Sequence, residues 1–292
     1  MDTTMINILL EPLKYAFMQR GFIASILVGI VCAVIGCYVV LRGLAFLGDA
    51  LAHAVLPGVA IAYLLGGSLL GGALIAALLV ALGITIFSNE GSIKEDTAIG
   101  ILFSASLALG VALISSIRTY AVDLSHILFG NVLGVSSGDV WVIFGLTVVV
   151  LGVLLALYRP FLVVSFDPVL ATTLRLPTTL LRGLMLVLLA LTIVISLQTV
   201  GIGLVTALLV TPGAAAYLLT RRLPAMMGLA ALFGALSSLV GLYLSYYLNI
   251  ASGAAVVLVA TLLFVLVYLF APQRGVVTQW LRSRKGRLET AR

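Results

Sequence analysis

Runs of about 20 apolar residues recur along the chain, separated by short stretches that hold nearly all of its charge. A helix needs about that length to cross the hydrocarbon core of a bilayer. Spans are expected at 21–41, 44–65, 69–88, 98–117, 140–158, 180–198, 201–219, 225–247 and 253–271. From Gly183 to Thr220 there is no charge at all. As one helix that stretch would be about 57 Å long, nearly twice the core thickness, so it must fold back. The break is placed at Gln198-Thr199-Val200-Gly201-Ile202-Gly203. The count is nine spans, or eight if one short segment is re-entrant. Membrane strands would alternate polar with apolar residues and these runs do not. The fold class is therefore all-α, a polytopic membrane protein.

Two connections are more than turns. Between Arg118 and Asp139, the apolar stretch from Ile127 to Val135 is too short to span and reads as a re-entrant or surface-lying helix. Between Arg159 and Arg182, Asp167 stands just before Pro168, which suits an N-cap followed by Pro at the first helical position. Pro177 ends that element, so a short helix is expected at about 168–175, lying across the membrane face. Phe166, Leu170 and Leu174 form an apolar stripe on it at i, i+4 and i+8.

Composition sharpens this. Of 292 residues, 63% are hydrophobic and only 9% charged, with a mean hydropathy of +1.29. Too little polar surface exists to cover a soluble globule, which excludes a soluble enzyme, a nucleic-acid-binding domain and a disordered chain. The net charge of +6 reports loops rather than nucleic acid. With nine spans, Arg42, Lys94, Arg159, Arg175, Arg182, Arg221, Arg222, Arg274, Arg282, Arg284, Lys285, Arg287 and Arg292 fall on one side. Lys14, Arg20 and Arg118 fall on the other. The richer side is the cytoplasm, which puts the N-terminus outside and the C-terminus inside. Residues 5–20 are expected as an interfacial helix before the first span. The first apolar run is as long as a span and others follow it, so it is not read as a cleaved signal. Cys32 and Cys37 are five apart on one helix and cannot bridge each other.

Nine of the ten acidic residues fall in loops, tails or helix ends, and the exception is Asp49. His53, one of two histidines, lies four residues later, so both side chains share one helical face. A carboxylate oxygen and an imidazole nitrogen at that spacing can reach one divalent cation, Zn²⁺ or Mn²⁺. Ionisable groups within a span are expensive and mark pathways. An Asp49 that merely caps a helix is disfavoured, because Leu44 to Leu47 is already apolar. Pro57-Gly58 should loosen the helix just beyond. Outside, Asp123 and His126 are three apart, compatible with a ligand role at an outer gate, though a capped, solvated interfacial helix is the favoured reading. Gln198 and Asn131 are read as satisfying backbone at breaks, and Thr211-Pro212-Gly213 as either a packing kink or part of a pathway lining. No G-x-x-x-x-G-K-[ST] phosphate loop and no H-E-x-x-H motif occurs, and no serine has a histidine partner in a nucleophile motif.

The run GDALAHAVLPGVAIAY (48–63), preceded by VVLRGLAFL (39–47), resembles the permease subunit of bacterial ABC importers for manganese, zinc or iron(II). TVGIGLVTALLVTPGAAAYLLT (199–220), LFGNVLGVSSGD (128–139) and FDPVLATTLRLP (166–177) resemble that family's late span, extracellular segment and ATPase-coupling segment. The resemblance covers about 18–272 and implies a fold similar to that of the vitamin B12 and siderophore importers. On this reading, 1–20 is an N-terminal interfacial segment, 21–271 the transmembrane permease domain with a coupling helix at about 166–177, and 272–292 a basic cytoplasmic tail.

The resemblance further implies that Asp49 and His53 contact the metal and that Phe166, Asp167 and Ala171 belong to the coupling helix. The family usually has an acidic residue where this chain has Val169, and a glycine where it has Arg175. It implies a separate cytoplasmic ATPase and an extracytoplasmic metal-binding protein as partners, no permanent cofactor, and a multi-pass place in the bacterial cell membrane, in contact with lipid. One Asp–His pair supplies two ligands, too few for Zn²⁺ or Mn²⁺, so a second copy of the chain is expected to complete four about a two-fold axis. Manganese is favoured by resemblance, ahead of zinc and iron(II). The rival class is a proton-coupled secondary metal transporter with Asp49 and His53 as the relay. It would place ionisable groups on several helices, and here only one span carries them.

Overall fold

The computed structural model describes residues 11–89, 93–116, 132–272 and 275. These form helices, with no strand among the described residues. The first helix, α1, runs Ala16–Leu41. The second expected span is two helices, α2 (Phe46–Ala54) and α3 (Leu56–Leu64), broken at Val55. Then come α4 (Leu69–Asn89), α5 (Glu95–Ser115) and α6 (Ser137–Ala156). Two short helices follow, α7 (Tyr158–Phe166) and α8 (Pro168–Thr173). The chain ends in α9 (Thr178–Val200), α10 (Ile202–Leu219), α11 (Leu223–Leu248) and α12 (Ser252–Phe270).

Eight of the expected spans are helices long and apolar enough to cross a membrane. The ninth, α10, is somewhat shorter. α9 stops where the length argument required, because Gly201 adopts φ 84° and ψ 162°, a backbone open to glycine and strained for other residues. Two local readings change. Within the described part of the 5–20 segment, a 3-10 turn occupies Pro12–Lys14 and α1 already begins at Ala16. Past Leu157, α7 is a helix in a stretch for which no element was expected. Its Pro160 sits in the first turn, where a missing N–H breaks no helical bond.

The middle of the bundle is α1, which packs on α10 and α11, and these carry α12. A second group joins α4 to α9, α3 and α5. α2 bridges the two groups, touching α4, α5, α9 and α10. Lipid tails are as apolar as leucine, so hydrophobicity alone does not press these helices together; close backbone approach does. Gly29 of α1 faces Gly234 of α11 so tightly that a Cβ on Gly29 would lie 2.7 Å from the Gly234 carbonyl oxygen. Nearby, Ser238 donates to the Ser25 carbonyl at 2.9 Å. Gly36 of α1 lies against the Leu209 carbonyl of α10, and Gly48 of α2 against the Leu209 side chain. α10 is thereby seated against both the central helix and α2.

A methyl group at Gly36 would overlap Leu209 backbone, whereas one at Gly152 on α6 meets nothing within 4 Å. Gly36→Ala should destabilise the protein by about 1–3 kcal/mol, the usual range for overpacking. Gly152→Ala should be neutral or gain up to about 1 kcal/mol. Thermal unfolding in detergent compares the two, and equal behaviour would contradict the packing described.

Candidate functional site

Pro57 lies in the first turn of α3 and cannot donate to the carbonyl of His53, four residues back, so the span opens at Val55. The break is held from both sides. Gly58 abuts Gly72 of α4, and Leu56 and Pro57 abut Gly110 of α5. Asp49 and His53 sit on α2, roughly 5 and 10 Å along a span of about 28 Å. Their side chains converge, with His53 Nε2 3.6 Å from Asp49 Oδ1. That is too long for a hydrogen bond, so neither group is consumed by the other. The Asp49 side chain is 41% exposed and the His53 side chain 25%.

His53 Nδ1 is buried, with no hydrogen-bond partner among the described residues. Phe103 of α5 stands edge-on to His53, ring centroids 6.0 Å apart, and edge-on to Phe46 at 5.4 Å. Sequence reasoning did not find Phe103, because nothing in an apolar helix marks which aromatic faces a site. A groove of about 560 Å³ between α3, α4 and α5 leads from Ala54, beside His53, past Gly58, Gly72 and Ser106 toward Leu65 at the other end of the span. Among the described residues, no group of three or more His, Cys, Asp or Glu could hold a metal ion. Asp49 and His53 therefore supply two donors per chain, a carboxylate and an imidazole. His126, Asp123 and Asn131 lie outside the described residues, as does the Gln198 side chain.

At the end of the bundle where α1 meets α2, Arg42 Nη2 donates to Glu95 Oε1 at 2.9 Å and to Oε2 at 2.6 Å. Burial pulls the Arg42 guanidinium below its ordinary pKa; Glu95 opposes that shift and Arg182 adds to it. The sequence placed Arg42 and Lys94 on one side of the membrane but gave no sign that Arg42 meets Glu95.

α8 has the cap read from the sequence, with Leu170 N–H donating to Asp167 Oδ1 at 2.9 Å. It closes in a Schellman arrangement, Leu176 N–H to Ala171 O at 3.0 Å and Arg175 N–H to Thr172 O at 2.9 Å. Arg175 stands at the left-handed position, φ 56°. Phe166, Leu170 and Leu174 are all exposed, and Val169 beside them is 75% exposed. Ala171 is fully buried at 0%. It does not belong to the outward face: a residue one step past Leu170 turns about 100° inward and packs α8 on its own chain.

The family model described as the ABC 3 transport family matches residues 14–271. The chain belongs to the ABC 3 transport family. Across 277 residues, 95% of each chain, it is 50% identical to the manganese transport system membrane protein MntC of Halalkalibacterium halodurans. It is 41% identical to a probable iron transport system membrane protein of Haemophilus influenzae, over 94% of this chain and 97% of that one. Among solved structures it is similar to a chain of PsaBC from Streptococcus pneumoniae in complex with Fab, with TM-score 0.82 and 38% identity, covering 96% of this chain and 99% of that one. With its long apolar helices, this member of the ABC 3 transport family is a multi-pass protein of the cell membrane.

A left-handed non-glycine residue costs about 1–2 kcal/mol. Arg175→Gly should therefore raise stability by roughly 1 kcal/mol, seen as a higher unfolding midpoint in detergent. An unchanged or lower midpoint would mean that the Arg175 side chain contributes compensating contacts.

Proposed function

We propose that this chain is the permease subunit of an ATP-driven importer whose substrate is a divalent transition metal, manganese first, with iron(II) or zinc as less favoured cargo. The observation that carries the reading is the Asp49–His53 pair, partly exposed at membrane depth on the single chain. A carboxylate and an imidazole left open to lipid tails would be costly, so something polar covers them. Two donors do not complete a Zn²⁺ or Mn²⁺ shell. A second copy related by a two-fold axis supplies two more, and the cation sits between the copies. Such a site holds its ion briefly, because a pathway that binds tightly does not conduct. Phe103 limits how far the His53 ring can swing. The manganese preference is supported by the name of the half-identical relative, and iron by that of another.

Energy comes from elsewhere, since the chain has no phosphate loop. A cytoplasmic ATPase docks on α8 through Phe166, Val169, Leu170 and Leu174, with Asp167 fixing the start of the helix. An extracytoplasmic metal-binding protein delivers the cation at the other face. The basic side of the chain, with Arg42, Arg182 and the 272–292 tail, faces the cytoplasm.

Asp49→Ala and His53→Ala should each abolish manganese uptake in proteoliposomes holding the assembled transporter, at normal membrane abundance. Wild-type uptake by both would end the metal-ligand assignment. In the same vesicles uptake should require ATP and ignore an uncoupler; the reverse pattern would indicate a proton-coupled carrier.

Leu170→Glu should prevent the ATPase from co-purifying, because an unpaired charge buried in an interface costs about 3–5 kcal/mol. Ala171→Glu should instead lower the stability of the isolated permease. Normal co-purification of the Leu170 variant would remove α8 as the docking element.

A further inference from the structure

Basic residues at a membrane boundary ordinarily stretch their charged heads out to water. Arg42 does the opposite. Its side chain is 10% exposed and turned inward, one nitrogen shared by both oxygens of Glu95 and the other 3.6 Å from Met185 Sδ of α9. Glu95, 18% exposed, opens α5, where the positive end of the helix dipole favours a carboxylate. Arg182, one turn before Met185 on α9, adds a second guanidinium to the group, with its Nε buried and without a hydrogen-bond partner among the described residues.

Such a cluster is a poor device for stability alone. Dehydrating two charges can cancel their attraction, and apolar residues of similar volume often stabilise as well or better. What a charge-assisted pair adds is direction, since it is satisfied in one register and broken by a slip of a few ångströms. Three elements meet at this point. Arg42 begins the 42–45 link to α2, with Asp49 seven residues on. Glu95 starts α5, whose Phe103 stands against both Phe46 and His53. Met185 and Arg182 belong to α9, which follows α8 after the 174–177 link.

We propose that Arg42 is a positioning residue for the metal site: paired with Glu95 against α9, it sets the register of α2 on α5, and so the placing of Asp49 and His53, and ties that register to α8. The inference rests on the reading of Asp49 and His53 as metal ligands. α8 and α2 are then joined through one charged contact rather than through the length of a helix.

The test uses the complete transporter in proteoliposomes, with manganese uptake and ATP hydrolysis measured together. R42M/E95M removes both charges of the pair, so neither is left buried without the other, and it should accumulate and co-purify with the ATPase as wild type does. Its manganese ions moved per ATP hydrolysed should fall by about tenfold or more, the scale of lost supporting contacts around metal ligands. R42K, which keeps the charge without the planar fork, should recover part of the ratio. A merely structural pair would lower uptake and hydrolysis together and leave the ratio unchanged. A wild-type ratio in R42M/E95M overturns the proposal; should that variant fail to insert, a wild-type ratio in R42K overturns it. D49N in the same assay separates the two readings. Normal uptake by D49N ends the metal-site reading itself, whereas an inactive D49N beside a normal R42M/E95M ends only the role of Arg42.

Discussion

A chain inside hydrocarbon has no water to satisfy its backbone, so every N–H and C=O must find a partner within the protein. The remaining features follow from this. Apolar runs become helices because only helices close their own hydrogen bonds along a single segment. Each departure from the helix is then confined to a place where protein covers it or where a residue tolerates it. Gly201 ends α9 in a backbone conformation suited to glycine. Pro57 leaves the His53 carbonyl without its helical donor, and that opening is packed between Gly72 of α4 and Gly110 of α5.

The same absence of water governs charge. Asp49 and His53 stand at depth, and they lie on the helix whose backbone is interrupted. Their partial exposure on one chain makes a polar cover necessary. On the proposed reading, a second copy provides both the cover and the missing donors. Arg42 and Glu95 solve the problem differently, by burying each other at the bundle's end. The first arrangement stays open to a cation and the second is closed to one, since the carboxylate is already occupied.

Movement between these regions has a short physical route. α8 rests on α9, α9 reaches Arg42 through Met185, and Arg42 begins the link into α2. α10 meets the same helix from the other side, through Leu209 against Gly48. α2 is therefore the element through which displacements elsewhere in the bundle would be felt at Asp49 and His53. Its nine residues are too few to absorb such displacements by bending.

The sequence by itself determined the class, the approximate bounds of the spans, the fold-back at Gly201, the cap and start of α8, and the shared face of Asp49 and His53. These depend on local rules: span length, helical period, and the conformational limits of Gly and Pro. Legibility failed wherever a residue's meaning depended on a neighbour distant in the chain. The 159–182 connection reads as holding one short helix after Asp167, so α7 went unseen. Ala171 and Leu170 are adjacent in sequence, and only packing against the body of the protein assigned one inward and the other outward. Phe103 is one apolar residue among many until α5 is laid beside α2. The Arg42–Glu95 pair spans 53 positions and left no periodic trace. Period and composition tell a chain which faces avoid water, but an apolar face does not specify its partner; interdigitating side chains in the folded bundle do.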